Sequence, residues 1–97
     1  MNMQSLMAQA QKLQKDLEKA QTELQNTVFT GESGAVKVEI SGKYEVKSLT
    51  ITDDSVLSDK EMLEDMIKVA FNNALNELNK TKNAKLGKYS NGLGGLF

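Results

Sequence analysis

The sequence has no cysteine and no histidine, and all of its basic residues are lysine, with no arginine among them. Without cysteine there is no disulfide to staple a chain of 97 residues, so stability rests on a small core and, where that falls short, on association with a second copy. The lack of thiols suits a reducing compartment. Without histidine and cysteine, the commonest general base near neutral pH, the commonest low-pKa nucleophile and the nitrogen and sulfur ligands of a zinc site are all missing. Chemistry would fall to carboxylates, lysines, tyrosines or hydroxyls, so the chain reads as a non-enzyme with no metal, cofactor or small-molecule substrate. No stretch approaches the roughly 20 apolar residues of a membrane span, and the opening segment is too rich in Gln and Lys for a secretory signal. The expectation is a cytoplasmic protein.

What is present is the balance of one small globular domain, with 39% hydrophobic and 26% charged residues. The formal net charge is −1, so the molecule as a whole generates little field to steer it toward a polyanion. Any such binding has to come from local clustering. The charge is in fact segregated: Asp53, Asp54, Asp59, Glu61, Glu64 and Asp65 face only Lys60 in one segment, whereas beyond it Lys68, Lys80, Lys82, Lys85 and Lys88 face only Glu77.

The first segment carries a repeat of seven. Met3, Leu6, Ala10, Leu13, Leu17, Ala20 and Leu24 follow one another in steps of three and four, the narrow seam of a helix packed along one partner helix. That partner is either another helix of the same chain or the same helix of a second copy. Lys12, Lys15 and Lys19 fall on the face turned away from the seam, a ridge of lysine alone. A solvated helix exterior gives the same pattern.

Strand periodicity follows. Val36, Val38 and Ile40 alternate with Lys37 and Glu39, and Tyr44 and Val46 alternate with Lys43, Glu45 and Lys47. A turn at Ser41, Gly42 and Lys43 pairs Ile40 with Tyr44 and Val38 with Val46, keeping apolar residues on one face. Leu49 and Ile51 are then out of phase, and a bulge near Lys47 and Ser48 restores them. Val28 and Phe29, before a "GESG" turn, start a third, shorter strand.

A second helix is marked by Ser58 and Glu61 at capping-box spacing, acidic residues at its start and Lys80 and Lys82 at its end. Met62, Met66, Ala70 and Ala74 form one apolar row, and Leu63, Ile67, Phe71, Leu75 and Leu78 a second beside it. One row suits the sheet; the other suits the first helix or a second copy. The architecture expected is α+β: helix, three-stranded antiparallel meander, helix, as one domain over residues 1–86, with a flexible Gly-rich tail at 87–97. Such a meander leaves an edge strand and much of the first helix uncovered, and pairing two copies covers both. Leu6, Ala10, Leu13 and Leu17 of the seam and Met66, Ala70, Phe71 and Ala74 of the second helix are the candidate dimer contacts.

Other features carry little chemistry. Asp53 and Asp54 lack the further oxygen ligands of a calcium loop and read as a polar lead-in to the helix. "TGESG" opens a strand and not a helix, so it is a turn and not a phosphate cradle. Asn72, Asn73, Asn76 and Asn79 form an amide face able to read adenine edges, but helix surfaces carry such residues routinely.

"TGESGAVKVEISG" (Thr30 to Gly42) and "KEMLEDMIKVAFNNAL" (Lys60 to Leu75) resemble the YbaB/EbfC family of bacterial nucleoid-associated proteins, as do the Gln- and Met-rich first helix and the ending in Gly, Leu and Phe. The resemblance spans nearly the whole chain. It implies an intertwined, tweezer-like homodimer with projecting first helices, located at the nucleoid and binding double-stranded DNA with low sequence preference. Lys12, Lys15 and Lys19 of the ridge and Lys80, Lys82, Lys85 and Lys88 of the C-terminal segment are the candidate phosphate contacts. Lysine point charges suit phosphates; the bidentate guanine contact is more often made by arginine. The competing reading is a protein interaction module whose heptad helix docks another protein without nucleic acid.

Overall fold

Asn2 starts the first helix by accepting the Ser5 backbone N–H at 2.8 Å through its side-chain oxygen, which satisfies one of the donors a helix start leaves open. From there α1 (Met3–Gln25) runs unbroken into β1 (Val28–Ser33), β2 (Val36–Ser41) and β3 (Val46–Ile51), then a 3₁₀ turn (Asp54–Ser58) and α2 (Lys60–Gly92). The computed structural model describes residues 2–92. The strands form an antiparallel meander in the order β1-β2-β3, so the fold is α+β with the expected element order.

The core lies between the sheet and the middle of α2. Phe29, Val36, Val38 and Ile40 face Ala70, Ala74 and Leu78, and Leu24 at the end of α1 joins the same cluster. Close approach is possible because β1 carries Gly31 at the crossing. A Cβ there would run into the Ala70 carbonyl oxygen and the Ala74 backbone nitrogen. Ala70 and Ala74, expected at a contact between copies, are thus fully buried within the chain.

The sheet register departs from the expected one. The connection between β2 and β3 is Gly42, Lys43 and Tyr44, one residue later than foreseen, so that Ile40 pairs with Val46 and not with Tyr44. Ser41 holds this turn three ways: its N–H donates to the Glu45 carbonyl at 2.8 Å, its carbonyl accepts the Tyr44 N–H at 2.9 Å, and its hydroxyl accepts the Lys43 N–H at 3.2 Å. Tyr44 takes the left-handed conformation with φ 65°, as the last residue of a three-residue hairpin loop does. The bulge foreseen near Lys47 and Ser48 is present: Ile40 pairs with Val46 and Glu39 with Ser48, leaving Lys47 as the extra residue. Beyond it Val38 faces Leu49 and Val36 faces Ile51, which brings both apolar residues to the core side. Across the bulge the Ser48 hydroxyl donates to the Glu39 carboxylate at 3.1 Å.

Two further boundaries move. The "GESG" turn narrows to Gly34 and Ala35, and β1 has six residues, as long as its neighbours. The cap of α2 is Asp59, whose carboxylate accepts the Met62 N–H at 3.1 Å, while the Ser58 hydroxyl closes the preceding 3₁₀ turn on the Ser55 carbonyl at 3.0 Å. The capping box expected of Ser58 and Glu61 therefore does not form: the cap falls one residue later, and Met62 stands where a capping box has Glu or Gln. At the other end α2 continues through Gly87 to Gly92, so Lys80 and Lys82 sit within the helix and not in its last turn. The boundary expected at residue 86 falls inside α2, and residues 93–97 of the expected tail lie outside the described residues.

Candidate functional site

α1 enters the sheet at Leu24 and α2 leaves it after Leu78, both part of one buried cluster. The two helices therefore run antiparallel away from the sheet as an arm, in a molecule extending 69 × 21 × 13 Å. The seam of α1 is used unevenly. Leu24 is 4% exposed and Leu13, Leu17 and Ala20 are half-buried, whereas Met3 is 75% exposed and Leu6 49%, with Ala10 exposed too. The C-terminal half of the seam thus packs within the chain, and the N-terminal half has no cover among the described residues.

The arm brings two separate lysine groups together. A groove of about 350 Å³ between the helices is lined by Asp16, Lys19, Ala20 and Glu23 from α1 and Lys85, Lys88 and Tyr89 from α2. Lys85 Nζ stands 3.4 Å from a Glu23 carboxylate oxygen, and Lys88 Nζ lies 5.2 Å from the centroid of the nearly buried Tyr89 ring. An exposed pair such as Lys85–Glu23 holds its partner weakly, so it does not remove Lys85 from reach of a phosphate. Lys12 and Lys15 are exposed and share the α1 face of Lys19 by their spacing of three and four. Lys80 is exposed and is not among the residues that line the groove.

Lys82 is placed elsewhere, against the β2–β3 turn. Its Nζ lies 3.5 Å from the Tyr44 hydroxyl and 5.8 Å from the ring centroid, and that hydroxyl donates to Asn79 Oδ1 at 3.4 Å. Sequence reasoning took Tyr44 for a core-facing strand residue. Its exposed position in a left-handed turn beside α2 had no signal in the alternation pattern.

Charge follows this geometry. Between residues 28 and 77 there are ten acidic residues against five lysines, while Lys80, Lys82, Lys85 and Lys88 follow with no acidic residue among them. The acidic segment sits at the start of α2 and the positive one toward its other end, a helix of 33 residues or about 50 Å. Within the acidic segment Asp53 caps the 3₁₀ turn, accepting the Ser55 N–H at 3.0 Å. That backbone hydrogen bond, and then the Ser55 side chain, hold its carboxyl below the ordinary aspartate range. The amide face is partly engaged within the chain, with Asn73 donating to the Glu32 carbonyl at 3.1 Å.

A further surface is apolar. α2 lies chiefly on β1 and β2, so the core-side row of β3 is left open: Val46 is 54% and Leu49 47% exposed. Leu63, Ile67, Phe71 and Leu75 of α2 are only half-buried, and Met66, on the other row, packs near Gly34.

The YbaB/EbfC DNA-binding family model matches residues 1–93. A nucleoid-associated protein of Lactococcus lactis subsp. cremoris (strain MG1363) is 48% identical over 96 residues, covering 96% of this chain and 97% of that protein. One from Francisella philomiragia is 47% identical over 90 residues, covering 90% of this chain and 81% of its own length. Among solved structures, that of an uncharacterized protein from Helicobacter pylori, HP0035, aligns with a TM-score of 0.73 at 26% identity, covering 97% of this chain and 99% of that one. With its helix, three-stranded meander and long second helix matched across nearly the whole length, the chain belongs to the YbaB/EbfC DNA-binding family.

Proposed function

We propose that this protein is a nucleoid-associated DNA-binding protein that acts as a homodimer and grips duplex phosphates through lysines, with low sequence preference. The observation that carries the reading is the antiparallel arm, which sets Lys19 of α1 beside Lys85 and Lys88 of α2 and continues the line through Lys15 and Lys12. Lysine ammonium groups are point charges that match phosphates without reading base edges. Family membership favours binding over catalysis.

A second copy is the natural cover for the open row of β3 and the half-buried Phe71 and Leu75, since monomers rarely leave contiguous apolar surface of this kind in water. Leu6, Ala10, Leu13 and Leu17 extend that contact along α1. Ala70 and Ala74 are withdrawn from it by their burial. Two arms held by one interface present a doubled set of lysines, which compensates for a chain whose own net charge is −1.

The test is a duplex mobility shift at rising salt, run beside a mass measurement of the free protein. With roughly four to eight phosphates neutralised per dimer, affinity falls with about the fourth to seventh power of salt concentration. Affinity indifferent to salt overturns the phosphate reading. A single-chain mass overturns the dimer, and binding that requires another protein and survives nuclease selects an interaction module instead.

A further inference from the structure

We propose that Tyr44, at the tip of the β2–β3 turn, is a stacking platform for an unpaired nucleobase, giving the protein a second contact with nucleic acid that prefers single-stranded or locally opened DNA. The inference rests on the nucleic-acid reading above but concerns a different place and a different chemistry.

Three observations meet at this residue. The first is strain: Tyr44 holds φ 65°, a region that bulky side chains rarely enter and that glycine or asparagine occupies at little cost in three-residue hairpin loops. A tyrosine kept where glycine fits better points to a use for its ring. The second is exposure. The ring is not drawn into the core; Tyr44 is 52% exposed, and its hydroxyl reaches Asn79 at 3.4 Å, which places the ring beside α2 without burying it. The third is charge. Lys82 Nζ stands 5.8 Å from the ring centroid, Lys43 is the exposed neighbour in the turn, and Glu45, the acidic group adjoining the turn, is ion-paired with Lys47 at 3.5 Å.

An oriented aromatic face flanked by cations is how sequence-tolerant binders hold a single strand: every base has a face to stack, and the neighbouring phosphates meet the ammonium groups. A base in a closed duplex is already stacked on both sides, so this contact is available only where a strand is open. Tyr44 also lies at the arm end of the sheet, since its partners Asn79 and Lys82 follow Leu78 on α2. A strand running along the arm lysines therefore reaches it.

The experiment compares Tyr44→Gly and Tyr44→Phe with the wild-type protein on an oligothymidine and on a plain duplex, with the mass of the free protein measured for each. Glycine suits the left-handed turn, so Tyr44→Gly folds, and a stacking contact predicts about a tenfold weaker grip on the oligothymidine with duplex affinity changed less than twofold. Tyr44→Phe keeps the ring and retains binding, and the quenching of tyrosine emission by oligothymidine expected of the wild type falls in this variant. If Tyr44→Gly binds oligothymidine as the wild type does while the duplex shift persists, the platform is refuted and the phosphate reading stands. If it changes the mass of the free protein, Tyr44 belongs to the contact between copies and the platform is refuted likewise. If the wild type shifts no duplex at low salt, it is the underlying reading that fails.

Discussion

Single residues decide how tightly the layers approach and where the helices begin. Gly31 is the sharpest case, because α2 rests its backbone on the strand there. Gly31→Ala forces a methyl into the Ala70 carbonyl and the Ala74 nitrogen, and thermal denaturation should report a loss of about 1–3 kcal/mol. Gly87 lies inside α2 with nothing within 4 Å of an added Cβ, so Gly87→Ala should raise stability by about 0.5–1 kcal/mol through helix propensity. The two identical substitutions thus move the melting temperature in opposite directions. The cap gives a second pair: Asp59→Ala removes the acceptor of the Met62 N–H and should destabilise by about 1 kcal/mol, whereas Ser58→Ala loses only a hydroxyl contact of the 3₁₀ turn and should cost less. Serine at capping-box spacing was legible in the sequence. That Ser58 closes a 3₁₀ turn and hands the cap to Asp59 was not, because both residues are good caps and only the path of the preceding backbone chooses between them.

At the scale of elements, the alternation of Val36, Val38 and Ile40 was enough to place β2, and the phase slip of Leu49 and Ile51 was enough to place the bulge. The pairing across the β2–β3 turn was not legible, since a three-residue connection can begin at Ser41 or at Gly42 with apolar residues facing inward either way. Hydrogen bonds from Ser41 and the left-handed Tyr44 settle the choice. The two apolar rows of α2 likewise announced two clients without saying which row meets which. The glycine at the crossing decides it, drawing the alanine row onto β1 and leaving Phe71 and Leu75 half-buried. On the dimer reading, Leu49→Lys places a charge in that contact: analytical ultracentrifugation should show a shift toward single chains, and duplex affinity should drop at least tenfold as the two arms separate. Leu49 is already 47% exposed in the chain, so the fold of the single chain should survive.

Across the whole molecule, charge and shape act together. An acidic sheet end and a lysine-bearing arm share one axis 69 Å long, so a polyanion meets attraction at one end and repulsion at the other despite a net charge near zero. Replacing Lys12, Lys15 and Lys19 by Gln should weaken duplex binding and lower the steepness of its salt dependence by up to about three units per arm, with the mass of the free protein unchanged. Replacing Lys60 and Lys68, whose ammonium groups sit in the acidic half beside Glu64 and Asp65, should leave the salt dependence as it was. Equal effects of the two sets in a salt titration would remove the arm from the account.

Periodicity, composition and charge order along the chain determined the element types, their sequence, the family resemblance and the lack of histidine and thiol chemistry, because each is a local property that residues express whatever they fold against. Tertiary structure alone decided that Lys19 lies with Lys85 and Lys88 across a groove, that Lys82 turns to Tyr44, that Lys80 stands apart, and that the alanine row is buried. These depend on the angle and depth at which two helices leave one sheet. That geometry is set by contacts between residues dozens of positions apart, which no local pattern records.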